Sequence, residues 1–164
     1  MPFSTNSSTI GANLGNSDGA TALFGLSSVT LGSQDTEWVY VNAAQALVTG
    51  EAVMINSSGT ASPLNGTLST SSTGKQIAFA QGVFSASDFG WVARRGNGIY
   101  VLVSSVSTIA GVLYNCENSG ALTTATATNT FAGISLITAS STGVATAQPA
   151  YVSWPRLVTA PLIV

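Results

Sequence analysis

Residues 88–103 read DFGWVARRGNGIYVLV, and the fold turns on what Gly96-Asn97-Gly98 does in the middle of them. The flanks, WVARR and IYVLV, are rich in β-branched and aromatic residues, the types that suit a pleated, half-buried surface. Asn-Gly between two such runs is a strong hairpin signal, because a type I′ turn needs positive φ at both central residues. Two strands and a tight turn are therefore expected, with a glycine bulge inside one long strand as the alternative. Arg94 and Arg95 stand just before the glycines. Successive strand residues point to opposite faces of a sheet. One arginine is thus expected in solvent, and the other across the sheet toward a partner or toward Asp88.

Working outward, the same texture continues. EWVYVNA (37–43) is apolar on both faces of a strand. EAVMINSSGTASPL (51–64) reads as strand, Ser-Ser-Gly turn, strand. QIAFAQGVFSA (76–86) is a strand interrupted at Gly82, which marks a bulge or a close backbone approach. GVLYNCENSGALTTAT (111–126), FAGISLITA (131–139), GVATAQ (143–148) and AYVSWPRL (150–157) follow. No amphipathic helix is present, only short helical turns near 42–46 or 106–110. The expected class is all-β, a small β-barrel or sandwich. LVTGEAVMINSSGTA (47–61) and TIAGVLYNCENSGAL (108–122) share one plan, with Gly50 and Gly111, and Gly59 and Gly120, each 61 residues apart. Each copy leads into a Phe-Ala strand and then a Trp-bearing strand, as a duplicated β-unit would.

Residues 1–36 differ. They are rich in Ser, Asn, Gly and Thr, and their apolar residues, Phe3, Ile10, Leu14, Leu23 and Phe24, follow no period. This predicts an extended N-terminal arm that needs a partner surface to order it, followed by a single barrel-like domain over 37–164. Phe3, Ile10 and Leu14 are the candidate docking residues of the arm.

Only 6% of residues are charged, against roughly 25% in ordinary domains, and 43 Ser and Thr take their place. No charge occurs from Asn118 to Pro155, yet that span is too polar for the ~20 predominantly apolar residues of a membrane helix. Its strands are too short for the ~10-residue alternating strands of a membrane barrel. The N-terminus has neither the basic nor the apolar region of a signal peptide. The expectation is a soluble, unexported protein with no membrane partner. Four cations cannot neutralise a row of phosphates, so no nucleic-acid partner is expected. A net charge of −2 gives little protection against association, which suits a surface packed against neighbours in an assembly; a monomer with a hydroxyl-rich surface fits the charge alone equally well.

The chain has no histidine, which removes the usual general base and the commonest metal ligand. The lone Cys116 excludes an intrachain disulfide and reads as a small buried hydrophobe. The carboxylates Asp18, Asp35, Glu37, Glu51, Asp88 and Glu117 fall in no catalytic motif. Asp35 and Glu37 share a strand face and could bind calcium, but calcium takes six to eight oxygens, so two solvated carboxylates are expected. GANLG and GNSDG neither follow a strand nor open a helix, so they are not phosphate loops. No catalytic residue, cofactor or metal is expected. Trp38, Trp91 and Trp154 could form a sugar-stacking platform, although Trp beside Val and Tyr on strands is more often core or interface.

LGSQDTEWVYVNAAQALVTGEAVMI, IAFAQGVFSASDFGWVARRGNGIYV, AGVLYNCENSGALTT, FAGISLIT and YVSWPRL together resemble the small capsid decoration, or cement, proteins of tailed bacteriophages, over roughly 31–157. The resemblance lies in glycine and apolar spacings. It implies a compact β-barrel-like subunit on the outer surface of the virion capsid, bound to the major capsid protein and to itself as a homotrimer at three-fold or quasi-three-fold sites. An extended arm would reach the shell, and Arg94, Arg95, Trp154 and Arg156 would supply interface contacts. The alternative is a trimeric fibre or a receptor- or glycan-binding module of the same kind of particle.

Overall fold

A computed structural model describes residues 12–64, 75–104, 114–116, 120–124, 129–138 and 144–159. Among these, all regular structure is strand: β1 (Ser17–Gly19), β2 (Val29–Leu31), β3 (Glu37–Ala43), β4 (Ala52–Ile55), β5 (Thr60–Pro63), β6 (Gln76–Ala80), β7 (Phe89–Val103), β8 (Tyr114–Cys116), β9 (Leu122–Thr124), β10 (Asn129–Leu136) and β11 (Thr146–Thr159). The all-β class expected from the sequence is what the chain adopts. Residues 42–46 run from the end of β3 into a bend, not a helical turn, and 106–110 lie outside the described residues.

The pairings close two rings. In the first, β3 pairs with β5 in parallel, and the path returns through β4, β6 and β7 to β3, every other step antiparallel. In the second, β7 pairs with β9 in parallel, and the path returns through β8, β10 and β11 to β7. The rings share β7. Their registers repeat the echo seen in the sequence. Val53↔Pro63, Met54↔Ser62 and Ile55↔Ala61 recur 61 residues later as Tyr114↔Thr124, Asn115↔Thr123 and Cys116↔Leu122. Each parallel contact is likewise extended by one backbone bond, Ala44 N–H to the Ala61 carbonyl at 2.8 Å and Ser104 N–H to the Leu122 carbonyl at 2.7 Å.

Every strand of the first ring contributes to its apolar interior, with Val39, Val41, Val53, Ala61, Ala78 and Val92 packed around Phe84 and Leu47. A second cluster joins Ile99, Val101, Val103, Leu122, Phe131, Ala150 and Val152 to the opposite face of the first-ring strands, including Trp38, Tyr40, Phe79 and Trp91. β3, β4, β6 and the first half of β7 are thus buried on both faces. A doubly buried strand reads as a continuous apolar run, which is why EWVYVNA shows no polar face.

Gly96-Asn97-Gly98 does not turn a hairpin but forms the expected alternative, a bulge in one long strand. β7 runs unbroken through Gly96 and Gly98, both at positive φ (137° and 74°), and its register against β11 shifts between Ala150 and Tyr151. The hairpin and the bulge demand the same local backbone, so tertiary pairing decides between them. Here β7 must leave β3, whose last partner is Arg95, and continue along β11. A Cβ on Gly96 would sit 2.7 Å from the Thr36 Cα, so the crossing also needs a residue without a side chain.

The expectation for the arm is corrected over its described part, residues 12–36. The partner surface that orders it is its own sheet. β1 pairs with β7 and β2 with β3. Leu14 is buried in the second cluster, and Phe24 lies 5.3 Å from Tyr40 and 5.2 Å from Trp91. The Tyr40 hydroxyl donates to Asp18 at 2.9 Å and accepts from the Leu23 N–H at 3.0 Å. The close approach expected at Gly82 is made by this same segment, because a Cβ there would meet the Gly15 carbonyl. Sparse apolar residues suffice when the sheet beneath supplies the rest of the core.

Candidate functional site

Arg94 and Arg95 do not point to opposite faces. Against β3 the register shifts between Glu37 and Trp38: Glu37 faces Arg95 and Trp38 faces Ala93, so Arg94 is an extra residue in β7. Such a bulge breaks the period-2 alternation. Both guanidinium carbons consequently lie near one ring, Trp154, at 4.5 Å and 5.8 Å from its centroid. Arg94 also forms an ion pair with Glu37, donating from Nε to the Glu37 carboxylate. Arg95 pairs with Asp35 at 2.9 Å, where the Asp35 side chain is 79% exposed. The two carboxylates expected in solvent are therefore each engaged by an arginine, and Glu37 is buried. Asp88 pairs with neither arginine; it accepts from the Ser85 N–H and the Ser17 hydroxyl.

Trp154 owes its place to a second irregularity. Between β10 and β11 the register jumps from Ala132↔Arg156 to Ile134↔Val152, leaving Ser153, Trp154 and Pro155 opposite Gly133. Trp154 takes φ 49°, uncommon for a bulky residue. Gly133 accommodates the bulge, since a Cβ there would stand 2.2 Å from the Ser153 carbonyl oxygen. The indole remains 48% exposed, whereas Trp38 and Trp91 are buried. A platform of three tryptophans is therefore not formed.

Beside Trp154 lies a groove of about 270 Å³, lined by the apolar Ile77 and Pro155 and by the cations of Lys75, Arg94 and Arg156. A second hollow of about 430 Å³, lined in part by Ser27, Asn56 and Ser57, shares Lys75 and Gln76 with it. With Arg95 against the Trp154 ring, all four basic residues of the chain meet here. Of the residues singled out in the sequence, Arg94, Arg95, Trp154 and Arg156 are thus brought together. Leu14 is in the core, and Phe3 and Ile10 lie outside the described residues. Lys75 was missed because it stands alone in a Ser/Thr-rich stretch, and only the β4–β6–β7 pairing brings it to the arginines.

Elsewhere, burial raises the Glu51 carboxyl above its ordinary range, opposed by the Val48 N–H bond at 2.9 Å. Burial likewise raises the Tyr40 phenol. Glu51 closes the turn at 48–51, and Tyr40 ties the segment at 18–23 to β3. The Cys116 side chain and Glu117 lie outside what is described. Among the described residues no three His, Cys, Asp or Glu side chains gather as metal ligands, and no helix is long and apolar enough to cross a membrane. What the groove can do chemically is hold an apolar group against Trp154 with negative charge beside it. No family model matches the chain, and a search of curated proteins finds no match.

Proposed function

We propose that this chain is a non-catalytic attachment protein that binds the outer surface of a phage head and stabilises the mature shell, as homotrimers at three-fold or quasi-three-fold sites. One observation carries the reading. Among the described residues β2 ends the strand order of the sheet, with β3 as its neighbour, and it turns Val29 and Leu31 outward at 48% and 46% exposure. Leu23 and Leu26, in the same short stretch, are exposed as well. An edge strand bearing exposed apolar side chains is a pairing hazard that folded proteins normally blunt with charge or proline. In a chain this poor in charge, the edge is instead suited to a protein neighbour. The resemblance to decoration proteins supplies the shell as that neighbour, and binding to the assembled lattice would stabilise it by mass action.

The test is a double substitution, Val29→Lys with Leu31→Lys. Both side chains are half in solvent, so folding stability is expected to change by no more than ~0.5 kcal/mol per site. Attachment to heads stripped of the protein is expected to weaken at least about tenfold, as loss of an apolar contact centre does. Unchanged attachment by the folded variant would remove the β2 edge from the interface.

A further inference from the structure

We infer that the groove beside Trp154 is a binding site for an extended acidic-apolar segment of a partner polypeptide, its carboxylates meeting Lys75 and Arg156 and an apolar side chain packing on Trp154, Pro155 and Ile77. The site goes beyond the attachment role. It is a property of the free chain, and neither Val29 nor Leu31 lines it.

Charge is the first support. The chain carries a net −2, yet its four cations converge here with two of its six carboxylates, Asp35 and Glu37, a local excess of two positive charges. Those carboxylates are taken by Arg94 and Arg95. Among the described residues Lys75 and Arg156 make no ion pair, and both side chains are exposed. Complementary charge of this kind steers and selects a partner more than it stabilises the fold.

The second support is the backbone. Holding a half-exposed tryptophan at φ 49° in a bulge that only a glycine opposite permits is locally unfavourable. Strain of this kind collects where a surface is shaped for binding. Arg94 further fixes the ring from one side at 4.5 Å.

Shape separates the candidate occupants. The larger hollow with Ser27, Asn56 and Ser57 shares Lys75 and Gln76 with the groove, and the two together give room for several residues of extended chain. A sugar is the poorer fit, because at the Trp154 end Ile77 and Pro155 bring no side-chain hydrogen-bonding group for its hydroxyls. A nucleic acid would need a longer row of cations than four with two already paired.

The experiment uses the purified full chain and three probes: a fluorescein-labelled Glu-Leu-Glu-Leu-Glu peptide, its Gln-Leu-Gln-Leu-Gln counterpart, and a labelled oligogalacturonate as the acidic sugar. The acidic peptide is expected to bind, and the neutral one to bind at least about tenfold more weakly, as loss of charge-assisted contacts implies. Lys75→Gln with Arg156→Gln, and separately Trp154→Ala, are expected to weaken the acidic peptide by a similar factor, with thermal midpoints confirming that each variant is folded. The Val29→Lys, Leu31→Lys variant is expected to bind the peptide like the unaltered chain, which keeps this site distinct from the attachment edge. Equal binding of the two peptides, preference for the oligogalacturonate, no binding at millimolar peptide, or indifference to the Lys75/Arg156 substitutions would each overturn the inference.

Discussion

Replacing Glu37 by Ala is expected to cost roughly 3–5 kcal/mol of folding stability, measured as a fall in the urea midpoint at unchanged slope. Glu37 opens β3, is 7% exposed, and is ion-paired with Arg94, whose side chain is 16% exposed. Without the carboxylate, a largely buried guanidinium keeps its desolvation cost and loses its counter-charge. Removing the charge as well, with Glu37→Met and Arg94→Met together, is expected to recover most of the loss, because a buried ion pair is often no better than apolar residues of similar size. The neighbouring pair gives the contrast. Asp35→Ala breaks an ion pair with an exposed carboxylate, and a change within ~0.5 kcal/mol is expected. Equal, small losses at Glu37 and Asp35 would mean that the buried pair does not anchor the bulge at Arg94.

Phe131→Ala is expected to destabilise by roughly 3–5 kcal/mol, the usual cost of emptying a buried aromatic site. Phe131 is 1% exposed in the second ring, on the strand that meets β8 and β11. The form of the transition matters as much as its midpoint. Because β7 belongs to both rings, the first ring cannot stay folded once the second opens. Tryptophan fluorescence, to which Trp38 and Trp91 contribute from the first-ring strands, should therefore move together with the far-ultraviolet circular dichroism in one cooperative step. A fluorescence transition left in place while the dichroism shifts would show two independent rings.

How much of this was legible in the sequence depends on the range of the forces involved. The Asn56–Gly59 turn could be read because its chemistry is local: the Asn56 side chain accepts from the Ser58 and Thr60 N–H groups at 3.0 and 2.9 Å. The 61-residue echo survived into the registers of β4–β5 and β8–β9 because strand and turn signals are local too. Gly96-Asn97-Gly98 signals a hairpin and a glycine bulge alike, and nothing nearby in sequence reveals that β3 and β11 will divide β7 between them, which decides for the bulge. Leu14 and Phe24 read as docking residues of an arm for the same reason: the apolar cluster that buries them is assembled from strands spread from Trp38 to Val152. Alternation of side chains across a strand holds only where the register is unbroken, and at Arg94 it is broken. The groove itself was half visible. Its arginines and tryptophan were singled out, but their convergence with Lys75 needs two register shifts and a glycine on β10.

The proposed attachment role is tested most directly by cryo-electron microscopy of the phage particle it assigns this chain to, resolved well enough to trace β7 and the β2 edge. The expected result is this chain on the outer surface of the head, three copies around each local three-fold axis, with Val29 and Leu31 covered by a neighbouring copy or by the shell. Finding it as single copies at hexamer centres, on a tail fibre, or nowhere on the particle would contradict the attachment role.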